Sequence, residues 1–243
     1  KVVSKFGVGL DSINLDFLKE KGINLYWKPG INANAVSELT LCYLILMLRE
    51  AQQLNRDMIS GLWSKLSNSR ELSEVSIGII GFGKVGEKLA SYLKIHKPRL
   101  LIYDPFINFN KQLKSELEFV ELDTLLKQSD AVTLHLPFSS STAKMIGESE
   151  IKLMKKDSVL INLSRGGIVD EDAVYEALIN KHLAGAAFDV FENEPGNNPK
   201  LVALENFFCT PHIAGTSSNA IKQLGLSAIN GLIENVNSKG NTD

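Results

Sequence analysis

The stretch Ile77-Gly78-Ile79-Ile80-Gly81-Phe82-Gly83-Lys84-Val85-Gly86 decides the fold. Its apolar opening reads as a buried strand and runs directly into a glycine turn, followed by the amphipathic segment Glu87 to Lys94. Strand, glycine turn and helix in that order are the setting in which a G-x-G-x-x-G string binds a dinucleotide. Gly81 permits the tight turn, Gly83 lets the backbone approach a pyrophosphate, and Gly86 lets the helix lie close on the strand. The helix start, with Lys84 and Val85, offers N–H groups and a positive dipole end to the phosphates. A second apolar strand, Leu100-Leu101-Ile102-Tyr103, ends at Asp104. A carboxylate about 20 residues past the glycines accepts hydrogen bonds from both ribose hydroxyls and repels a 2′-phosphate. The expected cofactor is therefore NAD rather than NADP. Glycine turns also occur in methyltransferases and flavin proteins, but the strand, the helix and Asp104 together favour the dinucleotide.

Outward from this unit the chain alternates between strand and helix. Strands are expected at 75–80, 99–103, 117–120, 130–135, 157–163, 184–188 and 206–209, and helices at 84–94, 122–128, 148–154 and 170–181, the last capped by Asp170. Such alternation implies an α/β fold, a doubly wound and mostly parallel sheet covered on both faces. Ligands in these sheets sit at the carboxyl ends of the strands. Upstream, an opening strand at 1–6 precedes a short helix, Asn14 to Lys21, ended by Gly22 as a left-handed cap. Another strand spans Ile23 to Trp27. Asn34 is then expected to cap one long helix, with Leu41, Leu44, Ile45 and Leu48 at helical spacing, running to about Ile59. Residues 60–73 read as polar and irregular, a final helix covers about 217–237, and the tail from Ser238 is expected to fray.

Composition narrows the function. The 243 residues can bury a full core, and 44% hydrophobic and 22% charged residues are ordinary for a globular protein. A net charge of −2 gives no electrostatic footprint for nucleic acid. The Lys94 to Arg99 cluster is read as cations at a helix end. Cys42 and Cys209 lack metal-like spacing and sit in apolar surroundings, so buried thiols in a reducing compartment are expected, with no metal site. The apolar run Leu39 to Leu48 is too short to span a bilayer and fits a buried helix. No signal peptide is visible, which makes the cytoplasm the default location.

Three ionisable residues fall just past predicted strand ends: Arg165 in Asn162-Leu163-Ser164-Arg165-Gly166-Gly167, Glu194 in Asp189-Val190-Phe191-Glu192-Asn193-Glu194-Pro195, and His212 in Thr210-Pro211-His212-Ile213-Ala214-Gly215. Hydride transfer from an alcohol carbon needs these types. A base takes the hydroxyl proton as hydride leaves, and His suits that near neutral pH. A carboxylate beside the imidazole favours its charged form and orients the ring. An Arg clamps a substrate carboxylate bidentately and polarises the reacting carbonyl. His135 ends a strand near the same crevice and is read as packing or touching cofactor, whereas His96 and His182 are read as solvated.

The chain resembles the D-2-hydroxyacid dehydrogenases, which include D-3-phosphoglycerate, glyoxylate/hydroxypyruvate and D-lactate dehydrogenases. The resemblance rests on Gly7-Val8-Gly9-Leu10-Asp11, Asn34-Ala35-Val36-Ser37-Glu38-Leu39, the glycine loop, His135-Leu136-Pro137 and residues 162–171, 186–195 and 210–215. It implies that His212 is the acid/base, Glu194 its partner and Arg165 the carboxylate anchor. It further implies that backbone N–H groups around Val8 and Gly9 bind substrate carboxylate and that Asp189 holds the nicotinamide carboxamide. Leu136-Pro137 and Leu163-Ser164 would then meet cofactor through their main chain. Residues 34–215 are expected to form the NAD-binding domain, and 1–33 plus 216–243 part of a second, smaller substrate domain. The family has a further βαβ region before the segment that opens here, so the chain is expected to be N-terminally incomplete, with uncertain turnover. His96-Lys97-Pro98 stands where the family commonly has a glycine. The resemblance also implies a homodimer through the helix at 34–59, a small 2-hydroxy or 2-oxo acid substrate, with 3-phosphoglycerate first, and no nucleic-acid or membrane partner. Its other branch, dinucleotide-sensing co-repressors with the same triad, gives the alternative reading of an interaction protein.

Overall fold

A computed structural model describes residues 1–65, 68–107 and 117–237. In chain order its first elements are β1 (Val2–Ser4), α1 (Leu15–Glu20), β2 (Asn24–Tyr26), α2 (Ala33–Leu48), α3 (Ala51–Ile59), β3 (Ser76–Ile80), α4 (Lys84–Leu93), β4 (Arg99–Tyr103) and β5 (Leu117–Phe119). Then follow α5 (Leu122–Gln128), β6 (Ala131–Leu134), α6 (Glu148–Leu153), β7 (Ser158–Asn162), α7 (Glu171–Ile179), β8 (Leu183–Phe188), α8 (Pro199–Val202), β9 (Phe207–Cys209) and α9 (Ser218–Asn237). The frayed tail expected from Ser238 lies outside the described residues.

Contacts divide the chain into two units, one of Lys1–Val36 with Gly215–Asp243 and one of Ser37–Ala214. In the first, β1 and β2 pair in parallel, with Val3 opposite Leu25. Asn14 caps α1 by accepting from the Phe17 N–H at 2.9 Å, and Gly22 follows at φ 59°, as its sequence position suggests. Helix α9 approaches this sheet at Gly231, where any Cβ would collide with the Tyr26 ring.

The second unit holds a seven-stranded, all-parallel sheet in the order β5-β4-β3-β6-β7-β8-β9. From β3 the chain winds outward through β4 and β5, then crosses back to β6 on the other side. That reversal is the topological switch point at which doubly wound folds bind ligand. The central strands are buried on both faces, β7 throughout, and are therefore mostly apolar, as in Val159–Ile161. One register row marks their carboxyl ends: Tyr103, Ile80, Leu134, Asn162, Phe188 and Cys209 lie side by side across six strands. Every expected site segment of this unit begins at or just after that row.

Three expectations need correction. The helix expected from Asn34 to about Ile59 is two helices. Helix α2 already includes Asn34, and Glu50 breaks the run with a left-handed backbone at φ 50° before α3 begins. Helix α3 then donates from Gln52 and Arg56 to the carbonyls of Leu204, Glu205 and Phe207, covering the edge strand β9. Cys42 is exposed because α2 buries Val36, Ser37, Thr40, Tyr43, Leu44, Met47 and Leu48 and turns Cys42 and Ile45 outward, and Cys209, at the end of β9, is only partly covered. His182 is half-buried rather than solvated, with its Nε2 2.9 Å from the Ile151 carbonyl. At the position of the missing glycine Lys97 takes the left-handed conformation, φ 54°. Arg99, from the basic cluster, starts β4 and forms a two-pronged pair with Glu118 at 2.7 and 2.9 Å.

Candidate active site

The glycine loop leaves β3 at Gly81, whose φ of +91° suits a residue without a side chain. A Cβ there would lie 2.6 Å from the His135 carbonyl oxygen, and one at Gly86 would strike the Gly81 carbonyl. These two glycines are needed for packing. Gly83 differs: nothing lies within 4 Å of the space a Cβ would occupy. It is the N-cap of α4, ten residues long, so the first-turn amides of Lys84, Val85 and Gly86 have no intrahelical acceptors. Open space in front of donors at a helix start is a cradle for an anion, and the chain's residues fit a pyrophosphate there. Asp104 stands beside it, accepting from the Phe82 N–H at 2.8 Å and the Phe106 N–H at 2.9 Å. Each oxygen keeps a lone pair for a ribose hydroxyl.

The segments after β6 and β7 frame the middle of the row. His135 is partly covered, its Nε2 is 3.1 Å from Thr133 Oγ1, and its Nδ1 is buried without a partner. Burial pushes the ring's pKa down to about 3, so the imidazole is neutral across the working range. Leu136 and Pro137 follow it at the rim. After β7, Asn162 ties the next turn together. Its Oδ1 accepts from the Ser164 N–H and hydroxyl at 3.0 and 2.7 Å, and its amide donates to the Arg165 carbonyl at 2.9 Å. Leu163 and Ser164 are buried in that turn, while Arg165 is half-buried and donates from Nη1 to the Ser164 carbonyl. Gly166 is required because a Cβ would collide with the Phe191 carbonyl, so this turn and the segment after β8 touch backbone to backbone.

Beyond β8 and β9 the acid–base pair forms. His212 Nδ1 lies 2.6 Å from Glu194 Oε2, and Glu194 Oε1 accepts from the Phe191 N–H at 2.8 Å. The carboxylate is thus aimed, and it fixes the proton on Nδ1, which leaves Nε2 for a substrate. The His212 side chain is half exposed, and its backbone sits at φ 54°. Asp189, almost fully buried, holds that strained loop. It accepts from the Thr210 hydroxyl, from the Ile213 N–H at 2.8 Å and from the Ala214 N–H at 2.7 Å, and its carbonyl accepts from the His212 N–H at 2.8 Å. Glu171 braces the neighbouring segment by accepting from the Glu192 N–H at 2.7 Å and from Asn198 at 3.0 Å.

One edge of one sheet therefore gathers Gly81, Gly83, Lys84, Val85, Gly86, Asp104, Leu136, Pro137, Leu163, Ser164, Arg165, Asp189, Glu194 and His212. Val8 and Gly9 belong to the other unit, in the loop after β1. The bracing residues Asn162, Glu171 and Thr210 were not singled out from sequence. Asn162 was readable as an Asn bonding its own backbone two residues on, a local turn signal, whereas Glu171 acts across 21 positions and left no such sign. Among the described residues no group of three or more His, Cys, Asp or Glu could hold a metal ion, and no helix is long and apolar enough to cross a membrane.

A dinucleotide cradle at the switch point, sharing its rim with a carboxylate-oriented imidazole, defines a nicotinamide-dependent oxidoreductase. The chain belongs to the D-isomer specific 2-hydroxyacid dehydrogenases, whose NAD binding domain matches residues 41–214. It is 33% identical over 233 residues to hydroxypyruvate reductase of Thermotoga maritima, covering 94% of this chain and 75% of that protein. To D-3-phosphoglycerate dehydrogenase of Escherichia coli K12 it is 37% identical over 235 residues, spanning 94% of this chain and 57% of the relative. The crystal structure of D-lactate dehydrogenase from Aquifex aeolicus, complexed with NAD and lactic acid, superposes with a TM-score of 0.87 at 29% identity, covering 99% of this chain and 77% of that one.

Proposed function

We propose that this protein interconverts a D-2-hydroxy acid and its 2-oxo acid, with His212 as the acid/base. The observation that carries the reading is the 2.6 Å pairing of His212 Nδ1 with Glu194, at the rim that also bears Arg165 and the glycine cradle. NAD, when bound, supplies the hydride acceptor and, when reduced, the donor. The chain's residues do the rest. Arg165 anchors the substrate carboxylate and polarises the C2 carbonyl; in the other unit, the amides at Val8 and Gly9 are assigned to substrate carboxylate by the family resemblance alone. In the reducing direction His212 gives its Nε2 proton to the carbonyl oxygen, and in the oxidising direction Nε2 takes the hydroxyl proton. Glu194 keeps the ring in the required tautomer throughout. Asp104 receives the adenosine ribose, Leu136-Pro137 and Leu163-Ser164 line the cofactor with main chain, and Asp189 receives the nicotinamide carboxamide on the one carboxylate lone pair its loop leaves spare.

For substrate we place the phosphorylated three-carbon oxo acid of D-3-phosphoglycerate first, because relatives of that name match at 34–37% identity. Glyoxylate and hydroxypyruvate follow, after the relatives named as their reductases. We further propose a homodimer through the outward face of α2, where Cys42 and Ile45 lie uncovered, and a cytoplasmic location, which suits two free thiols. Residues 34–215 would be the NAD-binding domain and 1–33 with 216–243 part of the substrate domain. The test is oxidation of NADH with a panel of 2-oxo acids, on wild type and His212→Ala. Turnover should vanish in the variant while NADH binding, followed by fluorescence, is kept; equal loss of both would contradict the role. Binding of NADH with no 2-oxo acid consumed would favour the dinucleotide-sensing alternative.

A further inference from the structure

Tyr43 is almost fully buried on α2 and has no place in the chemistry described so far. Its hydroxyl lies 2.5 Å from Thr210 Oγ1, in the loop that carries His212. The Thr210 hydroxyl has one proton, and it goes to Asp189. The remaining bond therefore has one polarity: the phenol donates and the threonine oxygen accepts. Burial raises the phenol's pKa well above its ordinary value, so the donor is always protonated. The chain of donors runs Tyr43 to Thr210 to Asp189. The carboxylate at its end accepts the Ile213 and Ala214 N–H groups, while the Asp189 carbonyl accepts that of His212.

This arrangement addresses a specific difficulty. His212 sits in the left-handed region, which a residue with a side chain keeps only where its surroundings over-determine it. Asp189 supplies that over-determination, but its bond to Thr210 relies on a hydroxyl free to rotate. With the phenol on its lone pair, the threonine oxygen keeps its proton pointed at the carboxylate. Tyr43 is itself fixed by edge-on packing against Phe208, centroids 5.1 Å apart. We propose that Tyr43 is a positioning residue, acting through Thr210 and Asp189 to hold the backbone of His212 so that its imidazole meets the substrate. This rests on the acid/base reading of His212.

The test uses Tyr43→Phe, which keeps the ring and its packing and removes only the donor, alongside Thr210→Val and the double variant in the full chain. The expected result is a fall in kcat of about tenfold for Tyr43→Phe, with KM for NADH unchanged, since small misplacement of a reacting group weakens rate before binding. The double variant should be no slower than Thr210→Val alone, because the two groups act in one series. An unchanged kcat, or losses that multiply in the double variant, would overturn the proposal. Imidazole NMR, with the His212 signal assigned by its loss in His212→Asn, reads the same effect without turnover. The signal should shift and broaden in Tyr43→Phe, whereas a wild-type signal would overturn the proposal even if no oxo acid were consumed. Absence of turnover in wild type with a shifted signal in Tyr43→Phe would sink the enzymatic reading and leave the positioning intact.

Discussion

His135 makes the folded state sensitive to acid in a way that one substitution isolates. Its Nδ1 is buried without a partner, and burial pushes the ring's pKa down to about 3 from an ordinary value of 6.5. The folded value is the lower one, so between those limits the unfolded chain holds a proton that the folded chain refuses. Stability is therefore unaffected above about pH 6.5, declines as the pH falls through the window, and levels off near 3. The slope is about 1.4 kcal/mol per pH unit, and the exposed part of the residue screens the penalty, so about 2 kcal/mol is expected by pH 4.5. The perturbation is His135→Gln, which does not titrate and can still reach the Thr133 hydroxyl. Urea unfolding of both proteins without cofactor at pH 7 and 4.5 gives the answer, because carboxylate titrations common to both cancel in the difference. Wild type should lose about 2 kcal/mol more than the variant over that span. Parallel losses would show that the ring accepts its proton in the folded state, and the reasoning from its buried nitrogen would be wrong.

Asp104→Ser should lower the preference for NADH over NADPH by at least about tenfold, read as the ratio of kcat/KM values, since the carboxylate proposed to receive the ribose hydroxyls is gone. A preserved ratio would mean that Asp104 serves only the Phe82 and Phe106 amides. Gly166→Ala drives a methyl into the Phe191 carbonyl, so the Arg165 turn and the segment leading to Glu194 must part; about a hundredfold loss of turnover is expected. Normal rates in Gly166→Ala would mean the two turns need not touch. Glu50→Gly and Lys97→Gly each replace a side chain at φ 50° and 54°, and each should gain about 0.5–1 kcal/mol by thermal unfolding, the relief of strain exceeding the added unfolded-state entropy. A lowered Tm would place the side chains themselves in stabilising contacts.

The sheet was legible for a physical reason. Strands covered on both faces carry continuous apolar runs, as in Val159–Ile161, and turn residues punctuate them. The Arg, Glu and His candidates were legible because each follows such a run, and the strand-end rule gives them one edge. The errors arise where periodicity is silent. Apolar spacing continues through Arg49 and Glu50 with no glycine or proline between them, so nothing local announces the left-handed residue that ends α2. An apolar helix likewise does not say which face it buries, and Cys42 fell on the open one. The braces of the site were invisible for another reason: Tyr43 and Thr210 stand 167 residues apart, and only the tertiary fold makes them neighbours.

Two acids divide the control of one histidine, which explains why the motif around residues 186–195 contains both. Asp189 acts on the main chain: its contacts are the Thr210 hydroxyl and the N–H groups of residues 212, 213 and 214. Glu194 acts on the ring, through Nδ1 alone. A single carboxylate could not do both, since the ring nitrogen projects toward the open rim while the loop amides turn inward toward the end of β8. The inward acid is almost wholly buried and its carboxylate accepts three donors; the outward one is partly exposed and keeps a geometry open to substrate. Burying the Glu194 carboxylate as deeply would close the rim, and exposing Asp189 would let water compete for the amides that hold the left-handed backbone. The division follows from the register row. Asp189 is the first residue past Phe188, at the sheet edge, and Glu194 lies at the far side of a turn whose length carries it out to the imidazole.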